Sequence, residues 1–201
     1  MSRTESNMVQ LGTIAPAFEL VDVVSGKAMS RDDVFALSGD DATKKHGLLV
    51  MFVCVHCPYV KHVEEGLARI AEDYFNNDGP IAMVAIQSND TVQYPDDGPE
   101  QMREQAERLG WRFPYLLDEM QEVARAYEAA CTPDFFLFDG EMKLVYRGQL
   151  DDSRPRRKDF GNDIPVTGKD LRAALDAVIA GKRPDTNQRS SIGCNIKWKE
   201  S

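Results

Sequence analysis

The segment Gly47-Leu48-Leu49-Val50-Met51-Phe52-Val53-Cys54-Val55-His56-Cys57-Pro58 decides how this chain is read. From Gly47 to Val55 it is a near-continuous apolar run, with the length and composition of a buried strand. Pro58 suits the first turn of a helix, where its missing N–H costs little. Beyond it Val60, Val63, Leu67, Ile70, Ala71 and Tyr74 step by threes and fours, which predicts a helix with one buried stripe over about 58–75. Cys54 and Cys57 therefore fall at a strand-to-helix junction, where they can close a small disulfide ring. Unpaired amides and the dipole at the helix start favour a thiolate over a thiol. The thiolate is the reactive species. A C-x-x-C pair alone is a modest signal, and its flanks make it a strong one for redox chemistry. The competing readings are two buried structural cysteines and half of a metal site.

Outward from this junction, Pro80-Ile-Ala-Met-Val-Ala-Ile86 is a second buried strand, completing a right-handed βαβ unit. Ser88 to Pro99 has loop chemistry and lies past a strand's carboxyl end, on the same rim as Cys54. A helix is expected over about 99–109, a short extended piece at Phe113–Leu117, and a helix marked by Met120, Val123, Ala124 and Tyr127. Cys131-Thr132-Pro133 then precedes a hairpin, Asp134–Phe138 and Met142–Arg147, turning at Asp139-Gly140. The last helix is expected to open at Thr167, with Asp170 completing a capping box, and to stop at Gly181. On the N-terminal side, residues 1–10 read as a loose polar arm. Residues 12–24 with the turn Ser25-Gly26-Lys27 read as a hairpin laid before the main domain, and Ser30-Arg-Asp-Asp33 as a capping pattern. Ser38–His46 and residues 150–166 read as loops. Ile192 and Trp198 suggest that the tail docks on the body. The expected organisation is an arm at 1–10, one domain at 11–181 and a packed tail at 182–201.

The chain has 201 residues, ample for a full core, with 24 Lys and Arg against 33 Asp and Glu for a net charge of −9. Such an acidic chain is a poor nucleic-acid or anionic-membrane binder. The N-terminus lacks an apolar signal region and no stretch is long enough to span a bilayer, so a cytoplasmic location is expected. Stable structural disulfides are rare there, which turns four cysteines toward redox or metal chemistry. No cofactor is expected, and the partners expected are protein or small-molecule thiols and disulfides.

Four blocks carry a family resemblance: Cys54-Val-His-Cys-Pro-Tyr-Val-Lys-His62, Ser88-Asn-Asp90 through Tyr94-Pro95, Ala130-Cys-Thr-Pro-Asp-Phe-Phe-Leu-Phe138 and Ser191-Ile-Gly-Cys-Asn-Ile-Lys-Trp198. With the order of elements and the opening Ala15-Pro16-Ala-Phe18-Glu-Leu20, the chain resembles the redoxin branch of the thioredoxin fold. More narrowly it resembles a bacterial peroxiredoxin-like family. The resemblance spans nearly the whole chain. It implies an α/β fold with a central mixed sheet flanked by helices, an N-terminal hairpin extension and a C-terminal tail. It also implies a cis peptide at Thr132–Pro133 facing the cysteine pair, with the Thr132 carbonyl and N–H free to pair with an extended substrate. Two departures matter. Peroxiredoxins usually carry Pro and Thr where Gly47 and Met51 stand here, and Met51 cannot donate a hydroxyl hydrogen bond to a peroxide. Thioredoxin usually has a buried Asp and a Trp where Leu48 and Val53 stand, so no proton acceptor for the second thiol is evident.

The candidate chemistry is a Cys54–Cys57 couple. Cys54 is expected to be the more exposed nucleophile with the lower pKa, and Cys57 the resolving thiol. His56, as an imidazolium, would stabilise a thiolate; otherwise it is a solvent-facing turn residue. Cys131, two residues before Pro133, could be an extra thiol, a resolving partner, a metal ligand or a small buried residue. Cys194 could be an accessory or a structural thiol. Alternatives are a thiol peroxidase with Cys54 as the peroxidatic cysteine, and a Cu or Zn protein drawing on Cys54, Cys57 and Cys131, with His56 a further soft ligand that would struggle to bind the same ion as the adjacent Cys57. His62 lies off the helix stripe and is expected in solvent. Asp96-Asp97 reads as helix-start charge rather than a cation site, and Arg154–Lys158 as a solvated loop or an acidic-partner patch.

Overall fold

The structure, a computed structural model, describes residues 3–37, 46–75, 79–156 and 161–200. Its strands are β1 (Arg3–Glu5), β2 (Glu19–Asp22), β3 (Ala28–Ser30), β4 (Gly47–Phe52), β5 (Ile81–Gln87), β6 (Tyr115–Leu117), β7 (Cys131–Thr132), β8 (Asp134–Asp139), β9 (Leu144–Gly148) and β10 (Ile192–Asn195). Its helices are α1 (Arg31–Ala36), α2 (Pro58–Tyr74), α3 (Pro99–Leu109), α4 (Glu122–Ala126) and α5 (Lys169–Ile179). Seven strands form the main sheet in the order β3-β2-β6-β5-β4-β8-β9. β4 runs parallel to β5, and β5 to β6; the other pairs are antiparallel, so the sheet is mixed.

Both faces of the sheet are covered, so its central strands are apolar throughout. Alternation along β4 sends Leu49 and Met51 to one face, with the buried stripes of α2 and α5 and with Met102 and Ala106 of α3. Leu48, Val50 and Phe52 go to the other, with Val34 of α1, Val123 and Ala124 of α4, Phe136 and Phe138. The α1 capping box is formed by Ser30 and Asp33 as the sequence implies. The N-terminal hairpin is present, but β2 also pairs with β6 and extends the main sheet rather than preceding it.

Three local expectations are corrected. The arm is tied down, because Arg3–Glu5 pairs with β10. The helix expected from Met120 starts later, leaving Met120 exposed, since Gln121 has φ 61° and spends its side chain on the Ser88 and Lys197 carbonyls. The capping box at Thr167 and Asp170 is absent. Gly168, at φ 70°, is the N-cap of α5, and Asp151 accepts from the Thr167 and Gly168 amides while Asp170 accepts from Gln149. Gly181 does end that helix, with φ 67°. Most of the loop at 38–46, Asn76–Asp78 and Arg157–Lys158 lie outside the described residues.

A second, three-stranded sheet, in the order β1-β10-β7, joins both chain ends to the turn before Pro133. The tail docks as expected. Ile196 is buried, Lys197 N–H donates to Asn89, and the Arg125 guanidinium lies 4.3 Å from the Trp198 ring centre. Among the described residues, no helix is long and apolar enough to cross a membrane.

Candidate functional site

β4 ends at Phe52 and α2 begins at Pro58, so the C-x-x-C motif forms the turn between them. Cys57 is the N-cap residue of α2. Neither cysteine is in a disulfide. The peptide Thr132–Pro133 is cis, and Thr132 meets both sulfurs. Its hydroxyl lies 3.2 Å from Cys54 Sγ, and its carbonyl accepts from Cys57 Sγ at 3.1 Å.

The electrostatics reverse one expectation. Both cysteines are 0% exposed, so Cys54 is not the more open of the two. Burial, then the hydrogen bond with Cys57 and the Asp97 charge, push the Cys54 thiol up. Burial also opposes ionisation of Cys57. Hydrogen bonds with Cys194, Cys54 and Thr132 outweigh it, and Cys57 is held low. No side-chain cap closes on α2, yet the Val60 amide near the helix start acts on Cys57 in the same sense. The two shifts thus run in opposite directions, up for Cys54 and down for Cys57.

His56 is neither free nor solvent-facing. Its Nδ1 lies 2.5 Å from Asp97 Oδ2, and its ring stacks on Tyr94 with centres 5.7 Å apart. Asp97, fully buried in the 3₁₀ turn Pro95–Asp97, also accepts from the Val55 and His56 amides at 2.9 Å and from Asn89 Nδ2 at 2.8 Å. Burial would raise its pKa; the His56 and Asn89 hydrogen bonds win and keep it below the usual carboxylate range. Asp97 is therefore a clamp on the C-x-x-C turn rather than helix-start charge. Only the adjacent acidic pair on the right rim hinted at it, and nothing in the sequence says which of Asp96 and Asp97 turns inward.

Cys54, His56 and Asp97 bring three donor atoms within 4.8 Å of one another. Among the described residues this trio, rather than Cys54, Cys57 and Cys131, is the set that could hold a soft or borderline ion. Both Asp97 oxygens already accept two hydrogen bonds each, so an ion would have to dismantle the clamp. Cys131 points elsewhere, its sulfur 3.6 Å from the Pro133 carbonyl; burial and the nearby Asp134 raise its pKa. Cys194 joins the site instead. It lies in the same buried cluster as Cys54 and Cys57, and on β10 it pairs directly opposite Thr132. This pairing also occupies the edge of Thr132 that the resemblance left free for an extended substrate.

Two further corrections concern the rim. His62 is half-buried, packed with Tyr59, Pro133, Asp151 and Ser153 around a cavity of about 20 Å³, and burial lowers its pKa. Arg154 is a structural brace, bonded to the Asp151 and Ser153 carbonyls and to Gln149. Asp134, immediately after the cis bond, was not singled out by its pattern. Burial raises its carboxyl to about 8, and one oxygen accepts from the Ala130 amide.

The four blocks of the family resemblance thus converge on one rim: Cys54 on Thr132, His56 on Tyr94, Thr132 on Cys194, and Asn89 on Lys197. Comparison with known proteins places the whole chain among relatives of the same fold. Among curated proteins none matches the sequence. An uncharacterised conserved protein of Geobacillus kaustophilus is 51% identical over 100% of this chain and 98% of its own, with a TM-score of 0.89. A hypothetical protein of Sinorhizobium meliloti is 45% identical over 98% of this chain and 100% of its own, with a TM-score of 0.88. The peroxidoxin BcpB of Mycobacterium tuberculosis shares the fold at 14% identity, covering 85% of this chain and 96% of its own, with a TM-score of 0.57. The AhpC/TSA family model matches residues 11–147, which take in both cysteines of the motif, the Asp97 clamp and the cis-Pro turn; the chain belongs to the AhpC/TSA family, in the thioredoxin-like redoxin superfamily.

Proposed function

We propose that this protein is a thiol–disulfide oxidoreductase working through a Cys54–Cys57 couple, with Cys54 as the nucleophile and Cys57 as the resolving thiol. The observation that carries the reading is Thr132, before the cis-Pro, touching both sulfurs at 3.2 and 3.1 Å. Family membership supplies the class of activity, thiol-based oxidoreduction. Cys54 gives up its proton and attacks one sulfur of a substrate disulfide, expelling the first substrate thiolate, which takes up the proton. Cys57 then attacks Cys54 Sγ, releasing the second substrate thiolate and closing the Cys54–Cys57 disulfide. Val55 and His56, both half-buried, are the least buried residues of the motif. A cytoplasmic setting suits a couple that cycles rather than a permanent staple.

A second reading, a thiol peroxidase with Cys54 as the peroxidatic cysteine, draws on the family match and on the Thr132 hydroxyl beside Cys54, a donor that Met51 cannot provide. Burial and Asp97 act against it by raising the Cys54 pKa. One experiment separates the two. Reduced protein is treated in parallel with oxidised glutathione and with stoichiometric peroxide plus a sulfenate trap, then alkylated and mapped by mass spectrometry. The expected result is a Cys54–Cys57 disulfide from glutathione and, in Cys57→Ser, a stalled glutathione adduct on Cys54. Sulfenate on Cys54 with no glutathione adduct in either protein overturns the first reading in favour of the second.

A further inference from the structure

β10 pairs antiparallel with Cys131–Thr132, the edge an extended substrate would occupy beside the cysteine pair. Residues directly opposite in such a pair point to the same face. Thr132 turns its hydroxyl to Cys54, so Cys194 opposite it points the same way, and the next pair, Asn195 and Cys131, points to the other. The approach is tight. A Cβ on Gly193 would stand 2.1 Å from the Thr132 carbonyl oxygen, so only glycine lets β10 lie this close. β10 packs on α2, and Cys194 shares a buried cluster with Cys54 and Cys57. Of the three buried sulfurs, Cys57 is the one that acts electrostatically with both of the others, Cys54 and Cys194. Thiol–disulfide exchange requires attack on a sulfur from the side away from its leaving sulfur.

We propose that Cys194 is a third redox thiol, which attacks Cys57 Sγ of the oxidised Cys54–Cys57 pair, forms a Cys57–Cys194 disulfide and returns Cys54 to its reduced state. The Cys194–Cys57 bond forms as the Cys57–Cys54 bond breaks, and the Cys194 proton passes to the Cys54 thiolate. The exchange is internal, so no oxidant or reductant is consumed. The tail strand thus acts as a built-in substrate, storing the disulfide on the N-cap sulfur while Cys54 is released to react again. An external dithiol reduces the Cys57–Cys194 bond at the end. This rests on the Cys54–Cys57 reading above.

The test is disulfide mapping of the full chain. Cleavage after Lys45, Lys61, Arg125, Arg189 and Lys197 puts Cys54 and Cys57 on one peptide, and Cys131 and Cys194 on two others. Reduced wild-type protein, Cys54→Ser and Cys131→Ala are oxidised with diamide, which takes two electrons and two protons from a thiol pair. They are then alkylated and digested with trypsin. The expected wild-type result is the Cys54–Cys57 loop together with a fraction in which Cys57 is joined to the Cys194 peptide and Cys54 is alkylated. In Cys54→Ser most of Cys57 is joined to Cys194, and Cys131→Ala resembles wild type. Wild type that forms only the Cys54–Cys57 loop, with Cys194 fully alkylated in it and in Cys54→Ser, overturns the proposal and leaves the couple standing. Wild type without a Cys54–Cys57 loop removes the couple as well. Because the wild-type partition is itself diagnostic, the result does not depend on Cys54→Ser folding.

Discussion

The seven-stranded and three-stranded sheets meet at Pro133, where β7 ends and β8 begins, yet they are assembled from opposite materials. β4, β5 and most of β8 are apolar residues buried on both faces. β1, β7 and β10 are two to four residues long, mostly polar or small, and drawn from three distant parts of the chain. The first sheet supplies stability through buried area. The second supplies placement: it holds Thr132 and Cys194 against the sulfurs, and with the Asp97 loop it forms a polar rim around a cysteine turn that the apolar core has fixed from below. Stability and placement should therefore separate under mutation.

The largest effect is expected from Phe136→Ala. Phe136 packs against Phe52 and Tyr127 on the face of the sheet away from the sulfurs. Its truncation is expected to cost about 4 kcal/mol in denaturant unfolding while leaving the disulfide map unchanged. A changed map would merge the two regions.

Asp97→Asn comes next, at about 3 kcal/mol, because it leaves His56 and three N–H donors facing an amide. The depressed carboxyl pKa fixes the sign of its pH dependence. The stabilisation is fully present above the ordinary carboxylate range and is lost as pH falls through the folded-state pKa. The gap between wild type and Asp97→Asn should therefore be widest near neutrality and close in acid. A gap constant with pH would show that the clamp is steric.

The smallest stability effect, about 2 kcal/mol, is expected from Gly193→Ala, since β10 can peel back from Thr132 at modest cost. Its chemical consequence is greater: Cys194 should become rapidly alkylated while the main-sheet amides stay protected from exchange. Slow alkylation of Cys194 would show that β10 tolerates the added methyl without leaving the site.

Residues whose role follows from local pattern were legible before any coordinates. The run from Gly47, the stripe of α2, the Ser30 capping box and the β8–β9 hairpin each express a period or a cap. Asp97, His62 and Cys194 carry no such pattern. Asp97 is buried because a 3₁₀ turn folds it under His56, His62 because the 149–155 segment closes over it, and Cys194 because β10 pairs in one register and not another. The relative exposure and pKa of Cys54 and Cys57 escape local pattern for the same reason. Spacing gives the distance along the chain, but groups that lower the Cys57 pKa come from Thr132 and Cys194, 75 and 137 positions away.

By itself the sequence determined the architecture and the presence of a cysteine pair at a helix start, because strands, helices and their junctions are set by side-chain periodicity within a few residues. Only the tertiary structure decided what surrounds that pair: a carboxylate under His56, a threonine bridging two sulfurs, and a third sulfur delivered by the tail. Those partners are fixed by strand register and loop closure between distant segments, and register depends on the whole buried face rather than on any local stretch.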